Sequence, residues 1–319
     1  MKKEEFYFNS NEIGRKIHAV RYTPDTEPRA VFQITHGMVE YIERYEEFAE
    51  FLCKHGFVVT GHDHLGHGGS IVTRDDYGFF AENDGNEKVL DDIHTLTLIT
   101  KELYPALPYF LLGHSMGSFY ARQYLCKYGY ELTGAVIMGT GFQAKFLVNA
   151  GIAITKFLMK IKGSHYRCEF VNNMAFGGYN KKFEPARTKY DWLSKNEASV
   201  DAYAADERCT FTFTLNGYYN MFTGIARLYD DNFLAGMPKN LPVLMVSGED
   251  DPVGEFSEGV KRAYESIKGA GVKDVRLKLY PNMRHEILNE PERQEVYDDI
   301  LAFLNDVLSS TEARRTEKV

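Results

Sequence analysis

The chain has 319 residues, 44% of them hydrophobic and 26% charged, with a formal net charge of -8. That length suits one α/β domain with an insertion, or two domains, and the composition is that of a globular protein. The acidic balance and the lack of a dense Lys/Arg tract exclude non-specific nucleic-acid binding. Cys53, Cys126, Cys168 and Cys209 lie far apart without a C-x-x-C pair, so they read as reduced thiols, not as a disulfide framework or zinc site. The charged first five residues have no apolar run behind them, and no apolar stretch reaches the roughly 20 residues of a membrane span. The expected location is the cytoplasm.

The first 30 residues alternate apolar and polar side chains (Phe6, Phe8; Ile17, Ala19), which predicts antiparallel strands with a turn near 11–14. Residues 30–35 read as a buried strand ending at His36-Gly37. Residues 45–54 have helical spacing and stop at Gly56. A second buried strand, 57–60, leads into a loop with Gly61, Gly66, Gly68 and Gly69, then an amphipathic helix over about 88–102. Strand 109–112 runs into Gly113-His114-Ser115-Met116-Gly117 and an apolar-faced helix, followed by strand 135–138. From about 141 to 237 the pattern is helical and aromatic without clear strands. It then resumes with strand 243–247, a helix near 257–268, strand 276–280 and a closing helix over about 292–308.

Short apolar strands alternating with helices predict a mostly parallel sheet covered on both faces. The expected organisation is a core of residues 1–140 and 238–308. A helical cap, 141–237, is inserted after the sixth or seventh strand, and 309–319 form a fraying polar tail. Within the cap, residues 146–161 are apolar but punctuated by Lys156 and Lys160 and flanked by Lys145 and Lys162. A helix packed on its neighbours is the preferred reading. Contact with a lipid surface and the lining of an acyl-binding cleft are the alternatives.

A G-x-S-x-G between strand and helix is the setting of a nucleophile elbow, which projects the Ser115 hydroxyl beside a helix N-terminus. A serine hydroxyl needs a base, and the base needs an orienting acid. Two loops after predicted strands supply them in order: Gly248-Glu249-Asp250-Asp251 and Arg284-His285-Glu286. Asp251 is preferred to Asp250 because a G-x-x-D count from Gly248 ends there. His285 is preferred to His18, His94 and His165, which read as structural. His114 points away from Ser115 and suits positioning or substrate contact. The amides of Met116 and Met38 are the candidate oxyanion donors, the second from the loop after an early strand. The run His62-Asp63-His64-Leu65-Gly66-His67 invites a metal reading. Its order matches no dinuclear-zinc run, and a tight hydrogen-bonded loop is preferred. No metal or cofactor is expected.

With these pieces assembled, the chain resembles the monoacylglycerol lipase and lysophospholipase-like, serine aminopeptidase S33-type branch of the α/β-hydrolases. The resemblance rests on His36-Gly37-Met38-Val39-Glu40 with Arg44-Tyr45, Asp63-His64-Leu65-Gly66-His67-Gly68 with Ser70, the elbow, Gly248 to Asp251, and His285-Glu286. It implies an eight-stranded sheet, a helical cap over the site, and cofactor-free hydrolysis of a carboxylic ester. Glu40 and Arg44 would position polar substrate or fix the oxyanion loop. Tyr41 departs from the histidine of the animal monoacylglycerol lipases, and Ser118 replaces a second glycine after the elbow. The expected function is a serine esterase acting on monoacylglycerols, lysophospholipids or small acyl esters through an acyl-enzyme. An amide or peptide hydrolase on the same triad, and a ligand-binding receptor on a hydrolase scaffold, are the alternatives.

Overall fold

The computed structural model describes residues 1–316. Strands β1 (Lys2–Asn9) and β2 (Lys16–Thr23) form an antiparallel hairpin, and β2 pairs antiparallel with β4 (Phe57–His62). The strands β3 (Ala30–Thr35), β5 (Tyr109–His114), β6 (Gly134–Met138), β7 (Val243–Gly248) and β8 (Val275–Tyr280) join β4 in a parallel array. Among the described residues the sheet has eight strands in the order β1-β2-β4-β3-β5-β6-β7-β8. The order reverses around β3, so the chain's crossovers fall on both faces.

Alternate side chains of each central strand enter different cores. Phe32, Ile34, Phe110, Leu112, Val136 and Val246 pack with α1 (Glu46–Lys54) and α10 (Arg293–Thr316). Val31, Leu111, Ile137 and Met245 pack with α2 (Gly85–Leu103), α3 (Met116–Tyr128) and α9 (Glu258–Gly269). Because both faces are covered, β3, β4, β5, β6 and β7 are buried throughout, which is why apolar residues dominate them, with Gln33 and Thr60 hydrogen-bonded to backbone carbonyls inside.

Between β6 and β7 the chain leaves the sheet for α4 (Lys145–Lys162), α5 (Glu169–Phe176), α6 (Glu197–Ala205), α7 (Leu215–Arg227) and the short α8 (Asp231–Leu234). Helix α7 packs on α4 and against α2 and α3, anchoring this insertion to the second core. One element differs from the sequence reading. The closing helix does not end at 308 but continues through Thr316, since Glu312 and Ala313 are good helix formers and no breaker intervenes. The last residues of the expected tail, 317–319, lie outside the described residues.

Candidate active site

Ser115 sits where β5 ends and α3 begins, with φ 52° and ψ -120°. A non-glycine residue there is strained, and three contacts hold it. Its N–H donates to Met138 O at 3.0 Å. Its carbonyl accepts Ser118 N–H at 2.9 Å and Ser118 Oγ at 2.5 Å. Ser118, a departure from the family pattern, therefore braces the elbow. Gly117 is required by close approach: a Cβ there would collide with the carbonyl oxygens of Thr35 and His36.

His285 comes from the loop between β8 and α10, and its Nδ1 lies 2.9 Å from Asp251 Oδ2. The carboxylate can only accept, so Nδ1 carries the proton and Nε2 is left as a base. Asp251 is fully buried, and Val253 N–H donates to its other oxygen at 2.8 Å. Asp250 turns outward to Lys182 Nζ at 2.6 Å. The turn after β7 thus sends two adjacent carboxylates to different partners. Trp192 and His114 bracket the His285 ring at centroid distances of 5.2 and 4.7 Å.

The loop after β3 runs beside Ser115, so close that a Cβ on Gly37 would lie 3.0 Å from Ser115 Cβ. Val39 takes a positive φ of 56°, which turns the chain sharply after Met38. Met38 and Met116 line the same cavity as Ser115 and His285. Glu40, Arg44 and His114, offered by the sequence as substrate-binding, are bonded to one another, and Glu40 and His114 also line the cavity over Ser115. Glu40 Oε1 accepts Gly37 N–H at 2.5 Å, Tyr45 Oη at 2.9 Å and His114 Nδ1 at 3.0 Å. Arg44 bridges Glu40 Oε2 at 2.9 Å and both Glu286 oxygens at 2.7 and 2.8 Å. Burial opposes the charge on Glu40, but the hydrogen bond and charge of His114 and the charge of Arg44 outweigh it. The carboxyl is held well below the usual range. Burial likewise opposes protonation of His114, and Glu40 overcomes it, raising the imidazole. These residues fix the loop carrying Met38 to the loop carrying His285.

The histidine-rich segment backs this arrangement. Asp63 accepts His18 Nδ1 at 2.8 Å, Gly69 N–H at 2.7 Å and Ile42 N–H at 2.8 Å. His64 N–H donates to His36 Nε2 at 3.0 Å. Burial drives His62 and His67 down to about 3, and lowers His36 and His64 as well. Among the described residues no group of three or more His, Cys, Asp or Glu has a metal-holding arrangement.

A cavity of about 720 Å³ opens over Ser115. Phe119, Val148, Met221, Phe222 and Ile225 contribute apolar wall, while Asn172, Asn180, Thr188 and Lys189 contribute polar wall. In α4, Val148, Gly151 and Thr155 face inward, so the helix packs on its neighbours and also lines the cavity. The sequence missed Glu286, Tyr45 and Trp192 as members of the site. Glu286 beside His285 was the available signal, because a buried Arg44 requires a carboxylate partner. Tyr41 Oη donates to Asp206 at 2.9 Å and accepts from Arg208 at 2.7 Å, so this departure from the family anchors the cap.

The model of the serine aminopeptidase, S33 family matches residues 26–292. The chain is similar to a monoacylglycerol lipase of Mycolicibacterium smegmatis, 28% identical over 286 residues that span 89% of this chain and 90% of the relative. It is 27% identical to the monoglyceride lipase of Mus musculus over 94% of this chain and 88% of that one. Among solved structures, a thermostable carboxyl esterase from Bacillus coagulans in complex with glycerol superimposes with a TM-score of 0.90. That pair shares 30% identity over 97% of this chain and 99% of the esterase.

Proposed function

The chain belongs to the serine aminopeptidase S33 family of α/β-hydrolases, and from that premise we propose that it is a serine carboxylic-ester hydrolase for monoacylglycerols and related acyl esters. Its relatives are named monoacylglycerol lipase, monoglyceride lipase and carboxyl esterase, which puts it among hydrolases of the lipase and esterase type. The observation that carries the finer reading is the buried 2.9 Å pairing of Asp251 with His285, which lines one cavity with the strained Ser115.

Ser115 Oγ attacks the acyl carbon while His285 Nε2 takes its proton, and Asp251 stabilises the imidazolium. The oxyanion accepts the N–H groups of Met38 and Met116, aided by the N-terminal end of α3. His285 then protonates the leaving alcohol, giving the acyl-enzyme. Water, deprotonated by His285, then attacks the acyl carbon, and as the bond to Ser115 Oγ breaks His285 returns the proton to Ser115 and the carboxylic acid leaves. The apolar wall suits an acyl chain and the polar wall a hydroxylated head group. The outer face of α4, with Phe146 71%, Phe157 61% and Ile161 60% exposed among lysines, supports contact with a lipid surface. No described helix is long and apolar enough to cross a membrane. Four free cysteines fit a reducing, cytoplasmic setting.

Turnover of p-nitrophenyl esters of graded acyl length, with Ser115→Ala alongside, tests the reading. A long-chain optimum that disappears in the variant is the expected result. Substantial activity remaining in Ser115→Ala would remove the nucleophile, and activity on peptide amides but not esters would shift the reaction class.

A further inference from the structure

The loop that presents His285 has no regular secondary structure of its own, running between β8 and α10 as turns and bends. A base must nevertheless be held within a fraction of an ångström. The backbone N–H groups on either side of His285 are both tied to the cap, through residues 193–195. Glu286 N–H donates directly to Leu193 O at 2.7 Å. Arg284 N–H donates to Glu290 Oε1 at 2.7 Å. The other oxygen, Glu290 Oε2, accepts Ser194 Oγ at 2.8 Å and Lys195 N–H at 3.0 Å. The Arg284 guanidinium adds bonds to the carbonyls of Asp191 and Ser194. Asn196 Nδ2 donates to Asn289 O at 2.9 Å. Within this clasp the Trp192 ring packs on the imidazole.

Glu290 is fully buried and Ser194 nearly so, yet neither lines the cavity. A buried carboxylate with three donors, none of them a cation bonded to it, is costly to desolvate and is explained by what it holds together. We propose that Glu290 is a positioning residue for the reaction: it clamps cap residues 194–195 to Arg284 and so sets the His285 imidazole. The cap segment is then part of the catalytic apparatus as well as a cover over the cleft. This rests on His285 being the base, and it assigns a function to a residue outside the triad.

The test compares Glu290→Gln, Ser194→Ala and their combination in the full chain, using kcat, KM and the pH profile of kcat on one p-nitrophenyl ester. Misplacing the base without touching substrate lowers kcat by about 10–100-fold in Glu290→Gln. KM stays within about twofold, and the acid limb of the profile moves. Ser194→Ala shows a smaller loss, Ser194→Thr restores it, and the combination is no worse than Glu290→Gln alone. A folded Glu290→Gln with wild-type kcat, or with raised KM and unchanged kcat, overturns the proposal. If Glu290→Gln does not fold, an unchanged kcat in Ser194→Ala overturns it equally. Residual turnover in Ser115→Ala removes the triad reading, and this inference with it.

Discussion

At the scale of single residues, the site depends on which way a side chain leaves the backbone. Ser115 is held at a positive φ at a cost of about 1–3 kcal/mol, offset by the Met138 and Ser118 hydrogen bonds. Asp250 and Asp251 differ by one position, yet one meets Lys182 and the other His285. Asp251→Asn should therefore lower kcat by up to about 10⁴-fold, because an amide no longer enforces the tautomer with Nδ1 protonated. Asp250→Asn should stay within about twofold, as expected for a partly exposed ion pair. Steady-state kinetics of the two variants decide this, and the reverse ranking would move the acid by one residue. The turn at Ser115 and the pairing of Asp251 with His285 were legible, because glycines, a serine, an aspartate and a histidine at strand ends leave a local pattern. The local Glu40–Arg44 pair was legible as well, but not its link to Glu286, which lies 242 residues from Arg44.

At the scale of elements, the sheet strands announced themselves and the cap did not. A strand buried on both faces is apolar at most positions, whereas α4 is apolar on two faces for two different reasons. Val148, Gly151 and Thr155 pack inward, while Phe157 and Ile161 remain exposed. Such a helix has no single hydrophobic side to identify from spacing. If the outer face meets lipid, Phe157→Asn with Ile161→Asn should reduce the affinity for anionic vesicles, read by co-sedimentation, by about 100-fold or more, each buried large side chain being worth about 1.5–3 kcal/mol. Turnover of a short soluble ester should not change. Equal vesicle binding by variant and wild type would dismiss the lipid contact.

At the scale of the whole molecule, the buried histidines couple the fold to pH. Unfolded histidines titrate near 6.5, while folded His36, His62, His64 and His67 are all lowered, two of them to about 3. Below pH 6.5 the unfolded chain therefore binds more protons than the native one, and stability falls as pH falls. Each histidine contributes up to about 1.4 kcal/mol per pH unit. His18 and His114 are raised, so their contribution is full below 6.5 and is lost only at higher pH. Asp92, pushed up to about 6 by burial, offsets one group's worth between its ordinary value and 6. The net expectation is marked loss of stability between about pH 6 and 4. Denaturant midpoints measured across that range check it, and a flat profile would contradict the assignment of these imidazoles as neutral.

The sequence by itself determined the alternation of strands and helices and the chain order of Ser115, Asp251 and His285, the residues proposed as nucleophile, acid and base. These follow from periodicity and from residue types confined to strand ends, which act over a few neighbouring positions. Only the tertiary structure decided that Glu40, Arg44 and His114 brace loops, and that Tyr41 and Ser118 serve the cap and the elbow. Only there do cap residues 193–195 meet the histidine loop. Those roles depend on burial and on hydrogen bonds between segments far apart in the chain, where a polar side chain must find a partner that no local pattern names.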